Sequence, residues 1–182
     1  MKILVASDIH GDAQCMGMLC QRIKEDEPDM IVLLGDLLYH GPRNDLPEYY
    51  NTKTVAQQLN ELRLPIICVR GNCDAEVDQV MVNFPIMSDY SVINDGDRML
   101  YACHGHNMNW TITLPEDKDQ VVLTGHIHVP GIWQEENFIR INPGSVSLPR
   151  NGTPHSYIFL EGKSVSWRDV LTGQEFQHAN LP

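Results

Sequence analysis

Five short polar clusters in this chain each follow an apolar run and carry side chains able to hold a metal ion. They are Asp8-Ile9-His10, Gly35-Asp36, Gly71-Asn72-Cys73-Asp74, His104-Gly105-His106 and Gly125-His126-Ile127-His128. The runs before them cover residues 3–6, 30–34, 66–69, 98–103 and 121–124. In open α/β sheets ligands sit outside the carboxyl ends of the strands, so donors at five strand ends point to one shared site rather than to accidents of packing. Asp8 and His10 are two positions apart, as are His126 and His128. In an extended stretch such residues point to the same side, and each pair is expected to reach one site. Glycines at 11, 35, 71, 105 and 125 let these loops approach closely. Carboxylate, imidazole and amide oxygen without thiolate suit Mn, Fe or Zn rather than a soft metal.

Single residues have plainer readings. Asp8 alone could cap a turn, and Asn72 could be only a turn residue. His106 stands between a ligand's neighbour and a solvated ring. Asp74 reads as a structural partner of a ligand or backbone group, and residues 142–145 as a turn bordering the site. His40, His155 and His178 read as surface or loop histidines. The run Glu25-Asp26-Glu27 reads as a solvated helix end. Trp110, Trp133 and Trp167 are too far apart in sequence to suggest a stacking platform.

The elements that must position these clusters fall into two halves. Residues 3–6, 30–34 and 66–69 are apolar runs of buried-strand type. Between the first two, Asp12 can cap a helix whose Met16, Leu19, Cys20 and Ile23 share one face, ended by Pro28. Between the next two, Thr52 or Thr54 can start a helix with Val55, Leu59 and Leu62 on its apolar face, stopped by Pro65. Residues 39–50 form a loop. This β-α-β-α-β order implies parallel strands. From residue 90 on, the runs at 90–94, 98–103, 121–124, 131–135, 137–141, 156–160 and 164–170 are short and separated by turn signals, as in a mostly antiparallel or mixed sheet. The expectation is one domain over residues 1–182, with two sheets packed together and helices outside. Met81, Phe84 and Ile86 around Pro85 are either core or interface.

The ordered set D-x-H, G-D, G-N-x-D, G-H and G-H-x-H resembles the calcineurin-like metallophosphoesterase superfamily. Cys73, where most of that superfamily has His, together with the short chain and His40-Gly41-Pro42-Arg43-Asn44, is similar to its small bacterial phosphodiesterases of the YfcE type. The resemblance implies an α/β four-layer α-β-β-α sandwich of two mixed sheets flanked by helices. It implies two divalent metal ions, Mn first with Zn or Fe as alternatives. Asp8, His10 and His128 would hold one metal and Asn72, His104 and His126 the other, with Asp36 bridging. The implied activity is hydrolysis of a small phosphodiester by a hydroxide that bridges the metals, with Asp36, Asn72 and His104 acting through it. In the wider family the His at position 73 assists the leaving group. A thiol of pKa about 8.5 is a poorer acid, so Cys73 would tune the enzyme toward esters with good leaving groups. Arg43 and His106 are the candidate substrate contacts. A phosphomonoesterase or protein phosphatase, and a metal-binding interaction scaffold of the same fold, are the competing readings.

Composition bounds the partners. The 182 residues carry 13 Lys and Arg against 24 Asp and Glu, a formal charge of −11. That balance argues against a stable nucleic-acid partner. Two dications against Asp8 and Asp36 would leave the site near about +2 and still attract phosphate. The five cysteines form no C-x-x-C pair, which reads as reduced thiols. With no membrane span or signal segment expected, the reading is cytoplasmic, with a homo-oligomer expected by resemblance.

Overall fold

The computed structural model describes residues 1–109, 114 and 119–182; Trp110 lies outside these. Strands β1 (Lys2–Ala6), β2 (Met30–Leu33) and β3 (Ile66–Cys68) alternate with helices α1 (Ala13–Asp26) and α2 (Thr52–Glu61). β1 pairs with β2, and β2 with β3, in parallel, as the β-α-β-α-β order implies. A short α3 (Glu76–Gln79) leads to β4 (Tyr90–Asn94), β5 (Met99–Cys103), β6 (Val121–Leu123), β7 (Pro130–Gln134) and β8 (Ile139–Pro143). Last come β9 (Ser156–Glu161), β10 (Ser164–Asp169) and β11 (Glu175–Asn180).

The strands after residue 90 do not all share one sheet. β4 to β8 form a mixed five-stranded sheet in the order β4-β5-β6-β8-β7, whereas β9 to β11 return beside β1 to complete a six-stranded sheet, β11-β10-β9-β1-β2-β3. The protein is thus an α/β sandwich of two mixed sheets with flanking helices.

Side-chain parity shows why the sheets stack this way. On β1, Leu4 and Ala6 join Met16, Leu19 and Ile23 of α1 and Val55 and Leu59 of α2 in one core cluster. Ile3 and Val5 face the other way and pack with Leu100, Ala102, Val121, Leu123 and Ile141 of the second sheet. Each central strand is therefore buried on both faces, which is why these runs are continuously apolar rather than alternating. Trp167, fully buried between the sheets, donates its indole N–H to the Asn142 carbonyl at 2.7 Å.

The helix ends follow local chemistry. Asp12 caps α1 by accepting the Cys15 N–H, and Glu27 in the left-handed region ends it just before Pro28. α2 is capped by Asn51 rather than by Thr52 or Thr54, which lie in its first turn. Asn is among the best acceptors for an N-terminal N–H. Ile86 is fully buried and Phe84 packs on the helix-side core, while Met81 stays exposed.

Candidate metal centre

β1, β2 and β3 run in parallel, and so do β5, β6 and β8, so the polar clusters that follow them emerge at matched strand ends. The backbone there is not extended, as the two-residue spacing had suggested. Asp8, His10, Asp36, His126 and His128 all lie in the left-handed region, at φ 58, 48, 55, 69 and 59°. For residues with a Cβ this costs free energy, and such positions persist only where surrounding bonds over-determine them.

The bonds that do so are present. The Asp36 carbonyl accepts the N–H groups of both Ile9 and His10, at 3.0 and 2.9 Å, and Asp8 N–H donates to Gly35 at 3.1 Å. The Asp8 carbonyl accepts the hydroxyls of Ser145 and Ser147. Asp8 Oδ2 accepts the His126 N–H at 3.0 Å, tying the first loop to the fifth. The Asp74 carboxylate accepts the backbone N–H groups of Asp36, Leu37 and Gly71, at 2.8, 2.9 and 2.8 Å, so it organises the site as a structural partner. Gly71 is required by closeness. A Cβ there would fall on Asp36 Oδ1 and on the Asp36 backbone nitrogen.

These loops bring the donor atoms together. Asp8 Oδ1 is 3.2 Å from His128 Nε2 and 3.7 Å from His10 Nε2. Asp36 Oδ2 is 3.7 Å from His10 Nε2 and 3.4 Å from His104 Nε2, and His104 Nε2 is 3.1 Å from Asn72 Oδ1. His126 stands one ring away, with its centroid 5.2 Å from that of His104. The His126/His128 pair therefore divides, one ring toward His104 and the other toward Asp8 and His10. Cys73, left out of the sequence-based donor set, brings its thiol within 4.8 Å of donor atoms of His10 and Asp36.

Three imidazoles are oriented by one device. Nδ1 of His10, His104 and His128 lies 2.8, 2.6 and 2.6 Å from the carbonyls of Tyr39, Leu34 and Leu148. Donation from each Nδ1–H leaves Nε2 as the lone-pair atom facing inward. Asp8 Oδ1 is buried and has no hydrogen-bond partner. A buried carboxylate oxygen without a donor, surrounded by ring nitrogens whose protons are spent elsewhere, fits a divalent cation.

Without a cation, the carboxylates draw protons onto the rings in its place. Burial alone would raise the Asp8 carboxyl, yet the neighbouring His10 and His128 rings hold it below the ordinary carboxylate range. Burial opposes charge on His104, but Asp36 and Asp8 outweigh it and raise the ring to about 9. His126 and His106 are lowered, first by burial and then by the charge of His104. Burial, and then the charge of Asp36, push the Cys73 thiol up to about 12.

One cleft beside the donors is lined by His10, Asp36, Asn72, Cys73, Arg43 and Arg150. Arg43 is thus placed with the centre. His106 lines an adjoining recess with His104, Asp89, Tyr90 and Asn107, its ring centroid 5.4 Å from that of His104. Sequence reasoning passed over Arg150 and the roles of Ser145 and Ser147. The turn at residues 142–145 was the one sign of them, since it brings this segment against Asp8.

The chain matches the calcineurin-like phosphoesterase superfamily domain over residues 1–164. It is 39% identical to phosphodiesterase YfcE of Escherichia coli strain K12 over 166 residues, 91% of this chain and 90% of that one. It is 28% identical over 167 residues to the probable metallophosphoesterase YsnB of Bacillus subtilis strain 168, covering 88% and 83% of the two chains. The solved structure of Yfce, described as a phosphoesterase from E. coli, superposes with a TM-score of 0.92 at 36% identity over the whole of both chains. The buried donor cluster, the two-sheet frame and these likenesses together make the protein a metal-dependent phosphoesterase, and the chain belongs to the calcineurin-like phosphoesterase superfamily.

Proposed function

We propose that this phosphoesterase is a binuclear phosphodiesterase acting on small phosphodiesters. The observation that carries the reading is the position of Asp36. Its Oδ2 approaches His10 of one donor group and His104 of the other, at 3.7 and 3.4 Å. One carboxylate serving two half-sites is the arrangement that a pair of metal ions requires. Asp8, His10 and His128 would hold one ion, and Asn72, His104 and His126 the other, with Asp36 shared. Mn is the first expectation, Zn or Fe the alternatives. When bound, such ions supply Lewis acidity toward phosphoryl oxygens and lower the pKa of an attacking water.

The chain's own residues supply the rest. Carbonyls at Leu34, Tyr39 and Leu148 keep three imidazoles presenting Nε2, so the site is organised before substrate arrives. Arg43 faces the same cleft and offers a charge-assisted contact to an anionic substrate entering it. Cys73, with its thiol pushed up to about 12, is a poor proton donor to a leaving group. That favours diesters whose leaving group needs little protonation, in keeping with the name of the E. coli relative.

The test is to strip the protein of metal, restore Mn, and assay a chromogenic aryl phosphodiester beside the matching monoester, with Asp36→Asn as control. Metal-restored diester hydrolysis that is lost in the control supports the reading. Faster monoester hydrolysis would make the enzyme a phosphomonoesterase. Stoichiometric metal binding without turnover on either ester, across Mn, Zn and Fe, would favour an interaction scaffold.

A further inference from the structure

Arg43 and Arg150 reach the same cleft from loops more than 100 positions apart in sequence. In a chain with 13 basic against 24 acidic side chains, arginines are expected to find carboxylates. Those of Arg22, Arg98, Arg140 and Arg168 do. Arg43, Arg63, Arg70 and Arg150 pair with no carboxylate among the described residues, and of these four Arg43 and Arg150 line the cleft. Arg150 is nonetheless held in place. Its Nη2 donates to Asn44 Oδ1 at 3.1 Å, and Asn44 Nδ2 donates to the His40 carbonyl at 2.7 Å. Its backbone N–H donates to the His128 carbonyl at 3.2 Å, while the His128 ring leans on Leu148 two residues earlier. The guanidinium is therefore registered to the donor cluster through the main chain of one of its members.

The scissile group of a diester carries a single negative charge. A binuclear centre that is itself net positive meets that charge without further cations. Two more guanidinium groups at the rim are in excess for it. Arginine's planar fork matches the oxygens of a phosphate, which it can engage in two parallel bonds. We propose that Arg43 and Arg150 form a subsite for a second phosphate, so that the preferred substrate is a phosphodiester with one phosphorylated arm. This rests on the binuclear phosphodiesterase reading and names its substrate class. Both arginines are exposed at the rim, which leaves the arm room to enter from solvent.

The test separates binding from turnover. Ethyl phosphate and ethane-1,2-diyl bisphosphate are titrated calorimetrically into the metal-loaded protein, with carboxyethyl phosphate as a third ligand to separate phosphate from any other anion. The bisphosphate is expected to bind at least tenfold tighter than ethyl phosphate, and the carboxylate to fall between. Arg150→Met should erase most of that preference and Arg150→Lys only part of it. Lys163→Met, an equal loss of charge at the opposite end of the first sheet, should keep the preference. Equal binding of ethyl phosphate and bisphosphate, or the same loss in Arg150→Met and Lys163→Met, overturns the subsite. A carboxylate arm bound as tightly as the phosphate overturns its assignment to phosphate. In turnover, 2-phosphoethyl aryl phosphate should surpass ethyl aryl phosphate by a similar factor, carried by KM. Absence of Mn-dependent hydrolysis of both aryl esters would instead count against the phosphodiesterase reading, and the calorimetric result would still decide the subsite.

Discussion

His10 and His128 face each other Nε2 to Nε2 across 3.3 Å, while each ring's Nδ1 lies on a backbone carbonyl. With the Nδ1 protons committed, two neutral rings set lone pair against lone pair. Only a proton or a cation between them relieves that contact. Asp8 Oδ1, 3.2 Å from His128 Nε2, adds negative charge to the same point. The fold therefore holds the loops in a geometry that is costly without a cation.

Metal loading should accordingly stabilise the protein. A ligand that binds only the folded state at a hundredfold excess over its Kd adds about 2.7 kcal/mol. For a chain of this size that corresponds to about 5–10 °C in Tm. Calorimetric scans of Mn-loaded and chelator-stripped protein measure the difference, and coincident melting curves would count against the cation site.

The stripped protein should also respond to pH in a defined direction. His10 is raised, and His104 is raised to about 9, by the carboxylates beside them and against the effect of burial. A histidine whose folded pKa lies above its unfolded value of about 6.5 favours the folded state below that value. The contribution fades as pH rises through the folded pKa. Denaturant midpoints of metal-free protein should thus fall between about pH 6.5 and 9. In loaded protein the ligating rings are already neutral, and the decline should be shallower. A stripped protein that gains stability across this window would contradict the assignment.

Most of this site was legible because its chemistry is local. Asp8, His10, Asp36, Asn72, His104, His126 and His128 each follow an apolar run, and the runs are strands because they are buried on both faces. What did not follow was the backbone at these residues. An Asp or His in a left-handed conformation carries no signature in its own letter, since bonds from Ser145, Ser147 and Asp74 impose it. Arg150 was hidden for the same reason, as only the tertiary path from Leu148 to His128 brings it to the cleft. Strand β11 was missed because it is a polar edge strand, paired on one side only, with no apolar face to announce it.

The close approach at Gly71 makes a substitution there informative. An added Cβ meets Asp36, so Gly71→Ala must displace the Asp36 carboxylate. Metal affinity should fall about 10–100-fold, the range seen when a ligand loses its support. Gly17→Ala in α1 is the control. Its Cβ has 3.2 Å to the end of the Gln58 side chain, and alanine suits a helix better than glycine by roughly 0.5–1 kcal/mol. Equal metal affinity in the two variants, measured by titration, would mean that Asp36 has more freedom than the packing allows.

Position 73 offers the sharpest change in chemistry. Cys73 donates its N–H to Asp36 Oδ1 at 2.8 Å and lines the cleft, and on the proposed phosphodiesterase reading its side chain would stand beside the leaving group. Its thiol, pushed up to about 12, remains protonated but is too weak an acid to assist at neutral pH. An imidazole in its place titrates near about 6.5 when unperturbed. Well-placed general acids contribute roughly 10²–10⁴-fold. The loop at Gly41 packs close, since a Cβ added to that glycine would lie 2.9 Å from Cys73 Sγ, so the larger ring must move it and part of the gain is forfeited. Cys73→His should therefore raise hydrolysis of monoesters and poorly activated diesters about tenfold or more relative to the aryl diester. Its new pH profile should fall as the imidazole loses its proton. A substrate preference and pH profile identical to those of the parent enzyme would remove position 73 from the mechanism and leave the leaving group to solvent.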